Sequence, residues 1–415
     1  MMGFHFKNNR WYVDGVDLNR IAEKVGTPCF VYSLAAFEER FNEIDRAYRS
    51  VPHLVAYAMK ANSNLSVLHA LAKKGAGADV VSGGEIYLAR KAGVPANKII
   101  YAGVGKTKEE IRYALDEGIR YFNVESIHEI EIINELSRVK KTIAPIAVRF
   151  NPDVDAHTHH YISTGKKESK FGIYLGDIDK IIQVVRRCHY IRWTGVHAHV
   201  GSQMTQTGSV SKAARILENL VLRLRREGFP IQTVNLGGGY GIDYHGEKAP
   251  APSQYAVKVI PTIKRLNVDL ILEPGRFISG NSGVLLTRVT YIKNSGKKTF
   301  YIVDAGMNEL IRPALYDAYH RIAPAIGAKT STRLVDVVGP ICESSDFFAK
   351  NRHLPTAFQG QLLVVFSAGA YGSVMSSTYN ARPLAAEVVV RGNKFTIARR
   401  RQTWAELARL EKIVP

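Results

Sequence analysis

Lys60 closes the run His53-Leu54-Val55-Ala56-Tyr57-Ala58-Met59-Lys60-Ala61-Asn62, an apolar stretch of strand character with an amine at its end. A charged amine is poorly solvated in such a setting, and burial lowers a lysine pKa toward the neutral form that Schiff-base chemistry needs. Lys60 is therefore a candidate covalent anchor for an aldehyde cofactor. A lysine there can equally cap a strand or pair with a carboxylate, and its neighbours decide between these roles.

Reactive and anion-binding residue types stand at the ends of the other apolar runs. Asp79 leads into Ser82-Gly83-Gly84-Glu85, and Arg149-Phe150-Asn151 ends a later run. Further on come His197-Ala198-His199-Val200-Gly201-Ser202-Gln203, Gly237-Gly238-Gly239-Tyr240-Gly241 and Glu273-Pro274-Gly275-Arg276. Consecutive glycines after a strand let backbone N–H groups close on an anion, and Gly275 with Arg276 on the next run strengthens a phosphate reading for Gly237, Gly238 and Gly239. Tight packing alone also accounts for a glycine-rich turn. His197 and His199, two apart on an expected strand, should face one side and could ligate a metal. The other run ends offer Lys60, Glu273 and glycine loops, so no metal is expected, and a flat ring stacked on a planar cofactor suits His199 better. His157, His159 and His160 read as a solvated loop.

These residues need a scaffold that brings many strand ends together. Eight apolar runs alternate with segments of helical periodicity: Leu54 to Met59, Ala78 to Val81, Ile99 to Ala102, Tyr121 to Val124, Ile143 to Phe150, Gly195 to Val200, Thr233 to Leu236 and Leu270 to Leu272. That is the pattern of an α/β fold, a (β/α)8 TIM-type barrel with its chemistry at the C-terminal strand ends. Phe37, Phe41, Ile44 and Tyr48 share one helical face after Ser33, a plausible N-cap, and Ser66 to Lys74 reads as a short helix stopped by Gly75. The long polar stretch Pro152 to Lys170 has the length of a functional or mobile loop. Beyond residue 280 the periodicity turns to alternation, with hairpins around Asn294-Ser295-Gly296 and Arg391-Gly392-Asn393. The expected organisation is a segment 1–32 joining a second, mainly antiparallel β domain, a barrel over 33–280, and the β domain over 281–415.

Composition narrows the class. The chain has 415 residues, 46% hydrophobic and 22% charged, enough for a large domain and a smaller one. Cys29, Cys188 and Cys342 are widely spaced and suit neither a disulfide framework nor a zinc site, so a cytoplasmic protein with reduced thiols is expected. No stretch has the character of a signal peptide or approaches the roughly 20 apolar residues of a membrane span, so no membrane partner is expected. The net charge of +19 is spread in short pieces such as Arg223-Leu224-Arg225-Arg226 and Arg399-Arg400-Arg401. Without aromatic interleaving or a binding motif it does not indicate nucleic acid, and attraction of an anionic small-molecule substrate is the better use.

Taken in order, the segments YAMKAN (57–62), ADVVSGGE (78–85), SKFG (169–172), HAHVGSQ (197–203), NLGGGYG (235–241), EPGR (273–276), DAGMNELIRPALYDAYH (304–320), GPICESSD (339–346) and GAYGSVMSSTYNARP (369–383) resemble the alanine-racemase-like, fold type III family of pyridoxal-phosphate enzymes, in its group IV decarboxylase branch. The resemblance runs nearly end to end and implies pyridoxal 5'-phosphate as cofactor. It implies Lys60 as the Schiff-base lysine, His199 as the ring-stacking imidazole, and Asp79 among the cofactor contacts. Ser202, Gly237, Gly238, Gly239, Gly275, Arg276 and Tyr371 would lie on the phosphate side. It implies Glu273 as the carboxylate partner of the pyridine nitrogen, which keeps that nitrogen protonated and the ring a strong electron sink. Racemases of this architecture place an arginine there, so Glu273 points to decarboxylation. Cys342 is implied as the acid that protonates the α-carbon, reaching the site of a neighbouring subunit in a homodimer with shared active sites.

The implied reaction is decarboxylation of meso-2,6-diaminopimelate to L-lysine, the last step of lysine biosynthesis. Such a substrate has a distal amino-acid head with one carboxylate and one ammonium. Arg312 and Tyr316, four apart on an expected helical turn, can face one ligand, and with Arg276 and Tyr371 they offer carboxylate donors while Glu343 suits the ammonium. Arg312 could instead cap a helix and Tyr316 pack at an interface. Same-fold decarboxylases of ornithine, lysine, arginine or carboxynorspermidine need only an acidic partner for a distal cation and form the nearest alternative. A catalytically silent regulatory relative should lack Lys60 or Cys342, and both are present.

Overall fold

The computed structural model describes residues 3–152, 170–246, 249–327 and 331–414. The expected loop Pro152 to Lys170, with His157, His159 and His160, lies almost wholly outside them. By its contacts the chain divides into two compact units, one of Arg40–Ile242 and Lys248–Phe277, the other of Met1–Glu39, Asp243–Glu247 and Ile278–Pro415.

The first unit is a closed parallel barrel. Its strands are His53–Ala58, Gly77–Val80, Ile99–Tyr101, Tyr121–Val124, Ala144–Asn151, Ile191–His197, Thr233–Asn235 and Asp269–Leu272. The eighth pairs back on the first in the register Leu270 to His53, Ile271 to Leu54 and Leu272 to Val55, which leaves no free edge. A two-residue strand, Ile173–Tyr174, is appended outside the fifth. Side chains alternate across each strand, so Leu54, Ala56, Ile100, Tyr121, Ala147 and Ile271 form one buried cluster, with alanines offsetting the bulk of Tyr121. The outer helices start and stop as local chemistry requires. Ser33 Oγ accepts the Ala36 N–H at 3.1 Å to open Leu34–Tyr48, and Asn64 Oδ1 accepts Ser66 N–H at 3.0 Å to open Leu65–Lys73. Gly75, at φ +93°, turns the chain out of the second helix.

The second unit is built on a sheet in the order Phe347–Pro355, Thr332–Val338, Lys298–Val303, Gly283–Ser295, Cys29–Ser33, Ala386–Arg391, Lys394–Arg399, with Leu362–Val365 also paired to Gly283–Ser295 and Ile322–Pro324 paired to Leu362–Val365. Most neighbours are antiparallel. Thr332–Val338 beside Lys298–Val303 and Ala386–Arg391 beside Cys29–Ser33 are parallel. Both expected hairpins form. The first turns at Gly296-Lys297, slightly later than its expected position, because Ser295 still pairs with Lys298 and Gly296 supplies the positive φ of +58°. The opening segment makes its own meander of Phe4–Lys7, Arg10–Val13 and Val16–Asp17, so the strand that the N-terminal region adds to the large sheet is Cys29–Ser33. Among the described residues no helix is long and apolar enough to cross a membrane.

Candidate active site

The barrel strands deliver their C-terminal ends to one mouth. Strand one stops at Ala58, and Met59–Ala61 form a single 3-10 turn with Met59 and Ala61 buried and Lys60 exposed. The expected burial of Lys60 is therefore corrected, since the turn lifts the side chain out of the apolar run. What surrounds Lys60 is charge. It opposes the upward shifts of Asp79, Glu85 and Glu273 and favours the neutral forms of His197 and His199. Gly275 lies tight against this turn, where a Cβ would sit 3.0 Å from Ala61 Cβ and 3.2 Å from Ala58 Cβ.

Glu273 is a buried acid of the site, 7% exposed. Its Oε1 accepts from Asn235 at 2.6 Å and Asn123 at 3.1 Å, and its Oε2 lies 3.4 Å from His197 Nε2. Burial pushes its pKa up, against the Asn235 hydrogen bond, the charges of Lys60 and Arg149, and the Asn123 hydrogen bond. Asp79, 2% exposed, is pushed well above the usual carboxylate range by burial and then by Glu273, and its Oδ1 has no hydrogen-bond partner. Two such carboxyls lose their charge unless a cation stands between or beside them.

The sixth strand ends at His197, so His199 lies in the loop beyond it and the alternation that would put both rings on one side does not apply. His197 is 1% exposed inside the barrel. His199 is half-buried, and its Nδ1 accepts the Gly238 N–H at 3.2 Å, which places the proton of the neutral ring on Nε2. Burial, then Arg149 and Lys60, hold its pKa well below the ordinary value.

The glycine run is demanded by packing. A Cβ on Gly237 would fall 2.3 Å from His199 Nδ1, and one on Gly238 2.1 Å from the Glu273 carbonyl oxygen. Gly239 has φ +91° and would press a Cβ to 2.4 Å from the Gly201 carbonyl oxygen. Gly237 also donates its N–H to Asn235 Oδ1 at 2.8 Å, so the N–H groups of Gly237 and Gly238 are engaged within the protein. The anion cradle expected of all three is corrected for these two, because tight interlocking of the loops turns their donors inward. Arg276 Nη2 donates to Ser202 Oγ at 3.1 Å, joining the sixth and eighth loops.

Two positioning residues escaped sequence reasoning. Asn235 and Asn123 were visible only as amides in apolar runs. Gln203, at φ +57°, clamps the backbone of Ile242 through Nε2 to O at 2.6 Å and N to Oε1 at 3.1 Å. Arg149 reaches Glu125 at 3.0 Å, and Glu125 also accepts the N–H groups of Gly172 at 3.0 Å and Gly103 at 2.9 Å.

The remaining candidates lie in the β unit. Arg312–Tyr316 is a five-residue helix, so both residues share a turn, with Arg312 6% exposed. Arg312 Nη1 lies 3.1 Å from His320 Nε2, and its guanidinium sits over the Tyr244 ring at 5.2 Å. Cys342 and Glu343 are both exposed. Their loop is held by Asp346, which accepts from Ile341 and Met307 N–H at 2.7 Å each, while the Cys342 N–H donates to Asn380 Oδ1 at 2.8 Å. Tyr371 is half-buried with φ +54°, a left-handed backbone that a tyrosine holds only when its surroundings impose it.

In the same unit, burial pushes Glu309 from 4.5 to about 7, against hydrogen bonds from Gly306 and Asn308. The unfolded chain loses this proton near 4.5 and the folded one near 7, so folding stability should fall as pH rises through that window. At about 1.4 kcal/mol per pH unit the loss has a ceiling of about 3 kcal/mol. Glu309→Gln should flatten this part of the profile in denaturant titrations at pH 5 and pH 8. An unchanged pH dependence would refute the shift.

A family model described as pyridoxal-dependent decarboxylase, pyridoxal binding domain, matches residues 34–280. The diaminopimelate decarboxylase of Aquifex aeolicus (strain VF5) is 43% identical over 400 residues, covering 96% of this chain and 95% of that protein. That of Pseudomonas fluorescens is 45% identical over 416 residues, covering 100% of each. The crystal structure of diaminopimelate decarboxylase from M. jannaschii in co-complex with L-lysine superposes with a TM-score of 0.94 at 38% identity, covering 100% of this chain and 98% of that one.

Proposed function

The chain belongs to the pyridoxal-dependent decarboxylases, and on that basis we propose that it converts meso-2,6-diaminopimelate to L-lysine and carbon dioxide, with pyridoxal 5'-phosphate as cofactor. The observation that supports this best is Glu273, a buried carboxyl with one oxygen held by two amides, in the barrel whose mouth presents Lys60. The residues fit the cofactor. A primary amine stands at the rim, the buried Asp79 Oδ1 calls for a cationic or donor partner, and Arg276 with Ser202 offers anion donors.

When bound, pyridoxal phosphate supplies the electron sink that stabilises the carbanion left as carbon dioxide departs. Lys60 would supply the primary amine that holds the cofactor. Glu273 would hold a proton at the ring nitrogen through Oε2, the oxygen that its two amides do not bind. His199, neutral and oriented by Gly238, would support the cofactor ring, and Asp79 would be a further cofactor contact. Ser202, Gly239, Gly275 and Arg276 would hold the phosphate, while Gly237 and Gly238 shape that loop, and the family resemblance adds Tyr371 to the phosphate contacts. Arg312, Tyr316, Arg276 and Tyr371 bind the distal carboxylate, and Glu343 binds the distal ammonium. Cys342 Sγ delivers the proton to the α-carbon.

Exposure of Cys342 and Glu343 within one chain supports a homodimer with shared active sites, in which each loop completes the partner's site. Free thiols at Cys29, Cys188 and Cys342 support a cytoplasmic setting.

Carbon dioxide release compared across meso-diaminopimelate, ornithine, lysine and carboxynorspermidine tests the substrate assignment. Diaminopimelate should be preferred in kcat/KM by at least about 10³, because an arginine left without its carboxylate partner costs several kcal/mol. Comparable turnover of any of the others would overturn it.

A further inference from the structure

Arg312 is held by a histidine whose proton is placed by its surroundings. His320 is 0% exposed. Its Nδ1 lies 2.8 Å from the carbonyl oxygen of Phe366, which can only accept, so Nδ1 carries the proton. Nε2 of the neutral ring is then an acceptor, and it faces Arg312 Nη1, which can only donate, at 3.1 Å. The two partners thus select one tautomer. An imidazolium here would set N–H against N–H and place two cations in contact.

The packing around this pair acts in the same direction. Tyr244 lies under the Arg312 guanidinium at 5.2 Å and meets the His320 ring edge-on at 5.9 Å and 80°. Tyr319 is stacked against His245 at 4.1 Å on one contact and lies against the Arg352 guanidinium at 4.2 Å on another, while Arg352 also donates to the His320 carbonyl oxygen. A guanidinium on a flexible stem binds a carboxylate in fork geometry only if its plane is fixed beforehand, and loss of that plane forfeits the bidentate gain without removing the charge.

We propose that His320 is a positioning residue for substrate selection, a neutral acceptor that sets the plane of Arg312 and so confers preference for a ligand with a distal carboxylate. This rests on the reading that Arg312 takes that carboxylate.

The test uses the reconstituted holoenzyme with L-lysine, which keeps the distal amino-acid head, and cadaverine, which has the same diamine chain without a carboxylate. His320→Gln can place an oxygen where Nε2 stands and keep the bond to Arg312. His320→Asn can reach only Phe366. His320→Asn should weaken L-lysine binding and raise the KM for meso-diaminopimelate by about tenfold, the worth of one charge-assisted hydrogen bond, with cadaverine affinity and kcat held within about threefold. His320→Gln should restore most of the lysine preference. Equal weakening of both ligands in both variants would mark a merely structural histidine and overturn the proposal. Arg312→Met separates the two layers. If it weakens lysine while His320→Asn does not, the role of His320 fails and that of Arg312 stands. If Arg312→Met leaves lysine binding unchanged, the underlying reading of Arg312 fails, and the proposal with it.

Discussion

Lys60→Ala should abolish decarboxylation, lowering kcat by at least about 10⁴, the scale on which removal of a covalent catalyst acts. The loss should be chemical and not structural. Lys60 is exposed, whereas its neighbours Met59 and Ala61 are buried and hold the turn, so the truncated chain should keep its fold, with stability changed only as far as the charge of Lys60 offsets the buried carboxyls of Asp79 and Glu273. A substitute amine is not at hand in Lys106, the buried lysine of the barrel. Its side chain is 1% exposed, its Nζ is held by the carbonyl oxygens of Gly103 at 2.7 Å and Asn123 at 2.8 Å, and it is paired with Glu129. Borohydride reduction of the cofactor-loaded protein followed by peptide mapping should place the label on the peptide containing Lys60. In Lys60→Ala no site-specific label should appear. A label on another lysine in the unmodified protein, or residual activity above a thousandth of the original, would defeat the assignment.

Glu273→Gln should lower kcat by about 10² to 10³ with a much smaller change in KM, the magnitude expected when one charged partner is withdrawn from a water-excluded site. Glutamine can keep an oxygen in front of Asn235 and Asn123. It then presents an amide NH2 where Glu273 Oε2 stood, opposite His197 Nε2, and an NH2 cannot accept a proton or balance a cation. Stability should move the other way. Because burial raises the Glu273 pKa, the folded protein without cofactor resists losing a proton that the unfolded chain gives up, and the resulting penalty grows as pH rises above the ordinary carboxylate range. Cofactor-free Glu273→Gln should therefore gain thermal stability relative to the parent between pH 5 and pH 8. A kcat within threefold of the parent, or a relative stability that falls with pH, would contradict this account.

How legible these features were depended on the kind of signal each residue leaves. The barrel strands were readable because residues buried on both faces produce unbroken apolar runs, and the β unit because exposed hairpins alternate and turn at Gly296 and Gly392. Lys60 and Glu273 stood out as charged residues at the ends of such runs. Asn123 and Asn235 did not, since an amide inside a strand announces a need for a partner but not which one. Both belong to Glu273, which lies 150 and 38 positions away in the chain. His320 closed a recognisable motif, yet its role depends on Phe366, 46 residues on.

Where local reasoning failed, it failed by assuming that a strand continues or that a turn is open. His199 would share a face with His197 only if the strand ran on past His197. Gly237 and Gly238 would offer their N–H groups to an anion only if Asn235 and His199 did not take them first. The sequence by itself determined the barrel count and the second β unit, because periodicity is a local property, and its ordered motifs carried the family resemblance that implies the cofactor. Only the tertiary structure decided that Lys60 is exposed, which tautomers His199 and His320 hold, and how Glu273 is seated. Each of these depends on which hydrogen-bond partners distant segments bring within about 3 Å, and one-dimensional spacing does not encode that distance.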